Sequence, residues 1–225
     1  MKDVYVIALE SEADAVLRHM TDVLRFEECG RVVCQGTLRG ETAAVVICGV
    51  GKVNAAAGTQ YAIDRFAPER IVNLGVAGGL DAAMKVGEVY GISKCFQCDF
   101  DLSEINGTAR GVPNEYDTAY FELESSDCGL PSAIVSTGDS FSNVDADRAF
   151  VHDEMGAALR DMELAAIAHV CRRAGVKCVA IKAVSDLHFP DRPAPTDQFS
   201  SNLAKVVDAL GEAIGEAGMW QSANS

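Results

Sequence analysis

Two carboxylates stand where apolar runs of this chain give out, and their placement suggests one acid and one base. Lys177-Cys178-Val179-Ala180-Ile181-Lys182-Ala183-Val184 reads as a buried strand that stops at Ser185-Asp186. At the other end of the chain, Asp3-Val4-Tyr5-Val6-Ile7-Ala8-Leu9 reads as a strand, with Glu10-Ser11-Glu12 at its exit. In open α/β sheets, ligands bind just beyond the carboxyl ends of strands. A carboxyl group buried there beside polar ligand atoms can keep its proton to higher pH and donate it near neutrality.

The elements that must position these groups alternate between short β-rich runs and amphipathic stretches. Ala13, Val16, Leu17 and Met20 recur at helical spacing. Two β-like runs at 31–38 and 42–48 flank Arg39-Gly40-Glu41, a hairpin turn. A small-residue helix runs from Lys52 to about Phe66 and Pro68 closes it. Arg70-Ile71-Val72-Asn73-Leu74 is a buried strand ending in Gly75-Val76-Ala77-Gly78-Gly79, and Val86 to about Phe96 is another strand. Residues 97–131 read as a long irregular loop, a length often used for lids or binding loops. A strand at Ala133–Thr137, a helix at about 144–157 and a helix from Glu163 to Ala174, capped by Gly175, come next. A Pro-bearing loop at 187–197 and a final helix at about 198–217 follow. The reading is one α/β domain, residues 1–218, with 219–225 as a loose tail.

Composition narrows the partners. The chain has 225 residues, enough to bury roughly three quarters of its extended surface. Its 19 basic and 33 acidic residues give a net charge of −14, which repels nucleic acid phosphates and anionic membranes. No run of 18 apolar residues offers a membrane span, and Met1-Lys2 leads straight into a strand with no secretory pattern. Cytoplasm is the expected compartment. Of the eight cysteines, Cys48, Cys171 and Cys178 lie in apolar runs and read as core thiols. Cys95-Phe96-Gln97-Cys98 is a lone C-x-x-C with no second ligand pair for zinc, and reduced structural thiols are favoured over a redox pair.

Two glycine motifs fail as nucleotide signatures. Gly49-Val50-Gly51-Lys52 lacks the first Gly and the trailing Ser or Thr of a phosphate loop. It also lacks the last Gly of a dinucleotide fingerprint, because Asn54 stands there. What survives is a tight strand-to-helix turn, either structural only or near a ligand edge. Gly75–Gly79 offers close backbone approach but no Arg for an anion cradle. Arg160-Asp161-Met162-Glu163 reads as opening a helix. There Glu163 either serves as a carboxylate favoured by the helix dipole or accepts from a pair of sugar hydroxyls, and spacing favours the first.

Five blocks then fall in order. They are Gly49-Val50-Gly51-Lys52-Val53-Asn54-Ala55-Ala56, Asn73-Leu74-Gly75-Val76-Ala77-Gly78-Gly79, Ser136-Thr137-Gly138-Asp139-Ser140-Phe141, Met162-Glu163-Leu164-Ala165-Ala166-Ile167-Ala168 and Ala183-Val184-Ser185-Asp186. Together they resemble the 5′-methylthioadenosine/S-adenosylhomocysteine nucleosidases of the nucleoside phosphorylase superfamily, over roughly residues 1–186. The resemblance implies a three-layer sandwich, a central mixed twisted sheet flanked by helices. It implies hydrolysis of an N-glycosidic bond without a cofactor or metal, on a small nucleoside, in a homodimer that takes part in methionine salvage.

By the same resemblance Asp186 donates a proton to N7 of adenine and Glu12 activates water. Glu163 accepts from the ribose hydroxyls, Met162 packs on the sugar, Phe141 stacks on the base and the Ser142 backbone reads its edge. Val50, Val76, Gly78 and Ser185 complete the expected substrate contacts. Val76 stands where some relatives carry Ser, and Lys182 where an Arg is common. Leu187-His188-Phe189-Pro190 and Cys98-Asp99-Phe100-Asp101 also depart from the pattern, which bears on the 5′ substituent and the base. His19, His152, His169 and His188 have no motif support and read as surface or packing residues. A phosphorylase, a hydrolase of another purine-type nucleoside such as futalosine, and a nucleoside-binding protein without catalysis remain as alternatives.

Overall fold

Every residue of β1 (Asp3–Ile7) is buried, as the run Val4–Ile7 requires when a strand is covered on both faces. It lies within a ten-stranded mixed sheet in the computed structural model, which describes residues 1–124, 129–141, 147–189 and 193–216. The chain continues through α1 (Glu10–Leu17), β2 (Met20–Glu28), β3 (Arg31–Leu38), β4 (Glu41–Ile47) and α2 (Lys52–Phe66). Then come β5 (Arg70–Gly79), β6 (Val89–Gln97), the short helix α3 (Ser103–Asn106), β7 (Phe121–Glu122) and β8 (Ser132–Thr137). A π-helical turn (Ala149–Glu154), β9 (Leu159–Asp161), α4 (Leu164–Ala174), β10 (Lys177–Leu187) and α5 (Pro195–Glu216) complete the chain.

Strands β4, β1, β5 and β10 run parallel side by side. β10 then pairs antiparallel with β6, and the path β6–β8–β9 returns to β5. Five strands thus close on themselves, while β2–β3–β4 extends the other side as an antiparallel ribbon. Helices α2 and α4 bury Ala55, Ala62, Leu164 and Ile167 against one face. Helices α1 and α5 bury Ala13, Val16, Val206 and Leu210 against the other. The result is the expected three-layer α/β sandwich in a single domain.

Two details of β5 and β10 place the site. Val184 pairs with Ala77 and Asp186 with Gly78, so Ser185 is one residue extra, a β-bulge. On a regular strand neighbouring side chains point to opposite faces; here Ser185 and Asp186 both line one cavity. The second detail is the small residue run of β5. A Cβ on Gly75 would come within 2.8 Å of Glu12 Oε1, and one on Gly78 would overlap the His188 ring.

The structure corrects several sequence expectations. Met20 does not continue the first helix, which ends at Leu17, and opens strand β2 instead. Arg160 and Asp161 belong to strand β9, not to a helix start, because they pair with Gly78 of β5 and with Ser136 and Thr137 of β8. Helix α4 begins only at Leu164. The 97–131 segment is not wholly irregular, since it carries α3 and β7. Of the helix expected at 144–157, the described part is helical at 147–154 and turns π-helical from Ala149. The final helix starts at Pro195, three residues early. The expected boundary at 218 and the tail 219–225 lie outside the described residues.

Candidate active site

Glu12 sits in the first turn of α1, directly after β1, and only 5% of it is exposed. Its Oε2 accepts the Leu9 N–H at 3.0 Å and its Oε1 accepts the Val76 N–H at 2.8 Å. The contact to Leu9 is one half of a capping box, which fixes the side chain across the helix start. Burial pushes the Glu12 carboxyl above its ordinary range, and the nearby Lys182 ammonium pulls it back part of the way. A base poised closer to neutrality transfers protons more efficiently at working pH.

Lys182 is the buried cation of this end. Its Nζ lies 2.8 Å from Asp161 Oδ2, both side chains being almost wholly enclosed. Asp161 also accepts from Thr137 Oγ1 at 2.6 Å and from the Leu164 N–H at 3.0 Å. Burial pulls the Lys182 ammonium down, but Asp161, Glu163 and Glu12 together hold it above its ordinary value. It is therefore charged, and it faces three carboxyl groups, those of Asp161, Glu163 and Glu12.

Glu163 is the N-cap residue of α4, but its side chain makes no capping hydrogen bond. Its Oε1 accepts the N–H of Gly51 at 2.9 Å, across from another helix start. The tight Gly49-Val50-Gly51 turn thus does more than link β4 to α2: it delivers a backbone donor to Glu163. Burial and the Asp161 charge push Glu163 up from 4.5 to about 7, against the pull of Lys182. Between these two values the unfolded chain has lost this proton while the native chain keeps it, so raising the pH favours unfolding. Folding stability is expected to fall as pH rises from about 4.5 to about 7. Thermal melts across that window should show the slope in the parent chain and a shallower one in Glu163→Gln.

Asp186, just past the β10 bulge, is 1% exposed. Ser185 Oγ donates to its Oδ1 at 2.5 Å. His188 Nε2 lies 2.7 Å from Oδ2, off the line of a hydrogen bond, so Oδ2 accepts none from the described protein. Phe141 stands edge-on to Phe199 of α5, with ring centroids 5.5 Å apart, and 6.4 Å from the His188 ring.

These groups surround one cavity of about 260 Å³. Of the residues expected from sequence, Glu12, Val50, Val76, Gly78, Phe141, Met162, Glu163, Ser185 and Asp186 all line it. Ser142 lies outside the described residues. The cavity also holds groups that the sequence reading passed over or assigned elsewhere. His188, read as a surface or packing residue, faces into it. The signal was present, because a residue two positions beyond Asp186 shares its side of an extended chain. Arg160 and Asp161 were missed as lining residues because β9 was read as helix. Arg160 is 5% exposed, and its Nε and Nη1 find no hydrogen-bond partner among the described residues.

Cys95 and Cys98 are both buried, and burial pushes both thiols up, away from the thiolate that redox chemistry needs. No group of three or more His, Cys, Asp or Glu among the described residues could hold a metal ion. No helix there is long and apolar enough to cross a membrane.

A family model of the phosphorylase superfamily matches residues 2–217. A 5′-methylthioadenosine/S-adenosylhomocysteine nucleosidase of Geobacillus thermodenitrificans is 34% identical, over 91% of this chain and 92% of its own. The structure of such a nucleosidase from Colwellia psychrerythraea, in complex with adenine, superposes with a TM-score of 0.84 at 28% identity, covering 95% of this chain and 93% of that one. Futalosine hydrolase of Helicobacter pylori superposes with a TM-score of 0.85 at 21% identity, covering 95% and 96%, a likeness of fold. The chain belongs to the phosphorylase superfamily and, within it, to the 5′-methylthioadenosine/S-adenosylhomocysteine nucleosidases, as an enzyme of the N-ribosyl hydrolase type.

Proposed function

We propose that this enzyme hydrolyses the N-glycosidic bond of 5′-methylthioadenosine, S-adenosylhomocysteine or both, releasing adenine. One observation carries the reading: Glu12 and Asp186 reach a single cavity from two strand exits, with Glu163 lining it as well. Asp186 protonates N7, so the purine leaves neutral as the ribose gains oxocarbenium character. Glu12 orients a water and takes its proton. Glu163 accepts from the ribose hydroxyls, Met162 packs on the sugar and Phe141 stacks on the base. An acid and a base on opposite faces of the sugar fit inversion by direct water attack, by analogy with O-glycosidases.

Hydrolysis is favoured over phosphorolysis by the charge around Glu12. Asp161, Glu163 and Glu12 there face Lys182, which is already tied to Asp161. A phosphate anion beside Glu12 would find the Lys182 cation already paired. The enzyme works as a cytoplasmic homodimer in methionine salvage, with no cofactor. Val53, 79% exposed in the first turn of α2, offers apolar surface for a second subunit to cover.

Adenine release from both nucleosides, and purine release from futalosine, should be followed with and without phosphate. Release of free ribose product from an adenine nucleoside at an unchanged rate without phosphate is the expected result. Strict dependence on phosphate would make the enzyme a phosphorylase. Turnover of futalosine alone would reassign the base and the 5′ group.

A further inference from the structure

We propose that His188 is the proton-relay partner of Asp186, reloading the general acid after each turnover. This rests on the nucleosidase reading above, in which Asp186 protonates the leaving purine. Asp186 has two oxygens with different company. Oδ1 is held by the Ser185 hydroxyl, and Oδ2 has no hydrogen bond from the described protein but has His188 Nε2 at 2.7 Å. The histidine is held in that place from both ends. Its backbone N–H donates to the Gly79 carbonyl at 3.0 Å, and its ring occupies the space that a side chain at residue 78 would need.

Among the described residues, His188 has few other partners. From the 139–141 segment the nearest ring is Phe141, itself backed by Phe199 of α5, and neither titrates. Across the cavity, β9 contributes Arg160, a cation that cannot give up its proton. Among the described residues, Asp186 is the titratable side chain that touches the imidazole. The residue is 7% exposed against 1% for Asp186, so it is the member of the pair in touch with solvent.

The proton count closes. The N9–C1′ bond breaks with its electron pair passing to the purine, and the Asp186 carboxyl proton goes to N7. The Asp186 carboxylate takes a proton from His188 Nε2. Water loses one proton to Glu12 as its oxygen bonds to C1′. That proton is released to solvent, and the imidazole regains one from solvent. Nothing is oxidised or reduced.

The test compares two leaving groups in His188→Ala and His188→Gln. Methylthioadenosine needs protonation to depart; a 4-nitrophenyl riboside leaves as a stable phenolate and does not. Loss of the relay should lower kcat for methylthioadenosine by about tenfold or more, toward the lower end of what a general acid supplies. KM should change little, and the nitrophenyl riboside should lose far less. Imidazole added to the buffer should restore part of the His188→Ala loss.

A double-mutant cycle with Asp186→Asn gives a second readout: with the acid gone, removing His188 should cost little more. Equal losses on both substrates, or additive losses in the cycle, would overturn the relay and leave His188 as packing. Unchanged kcat for methylthioadenosine would do the same. No purine release by the parent chain from any purine nucleoside would instead remove the nucleosidase reading, and the relay with it.

Discussion

Asp186→Asn is expected to abolish most turnover of purine nucleosides while leaving the fold intact. The amide is nearly isosteric, and its oxygen can still accept from Ser185, so the bulge and its contacts need not rearrange. What it cannot do is give N7 a proton. A positioned general acid contributes roughly 10²–10⁴-fold, so kcat for methylthioadenosine should fall by about that factor. Because the amide still fills the cavity, KM should move much less. A 4-nitrophenyl riboside should be turned over at close to the parent rate. A melting temperature within about 3 °C of the parent would confirm that chemistry, not folding, was lost, since that shift corresponds to about 1 kcal/mol in a chain of this size. Near-parental turnover of methylthioadenosine in this variant would rule out Asp186 as the acid.

Lys182→Met should be the most damaging single change to stability near the site. The lysine is buried against Asp161 at 2.8 Å, and its charge also bears on Glu12 and Glu163. Methionine fills most of its volume but leaves three carboxylates without a cation. Removing one partner of a buried pair costs about 3–5 kcal/mol, or a fall of roughly 6–20 °C in Tm for a domain of this size. The sign of the activity change follows as well. Lys182 holds the Glu12 carboxyl down against burial, so without it Glu12 keeps its proton to higher pH. The basic form should then appear later, and the rising limb of the pH–rate profile should move upward. Lys182→Arg keeps the charge and should recover most of the stability. A Lys182→Met variant as stable as the parent would show that the acidic cluster is neutralised by its own protons.

Much of this arrangement is legible in the sequence, and the reasons differ by element. β1 and β10 are long apolar runs covered on both faces, so they announce themselves. The β3–β4 hairpin is marked by Arg39 and Gly40, both at positive φ. Helix α2 carries its own punctuation, with Ala67 in the left-handed region just before Pro68. β2 was invisible because it is an edge strand with most of its side chains exposed, so no alternation of buried and polar residues marks it. β9 was misread for another reason. Its three residues abut a strong helical pattern, and only ladders to β5 and β8, distant in sequence, make them a strand. With β9 lost, Arg160 and Asp161 lost their sides too. Glu12, Asp186 and Glu163 were found because chain punctuation or a family motif marked them. Lys182 was noticed as a departure, but its bond to Asp161 could not be seen from either residue alone. His188 needed only the period of two to be carried past the end of the strand.

The extra residue at Ser185 has a consequence for how this site can change over generations. Asp186 reaches the cavity because of how many residues precede it, as much as because of what it is. Substitutions upstream on β10 leave that count alone and can be tried one at a time. Were Ser185 drawn into the ladder as an ordinary residue, Asp186 would turn toward the opposite side of the sheet and His188 with it, in one step and with no halfway form. The acid is thus held in a reading frame. Sequences that share this catalytic strand should differ freely in spelling along it and hardly at all in length.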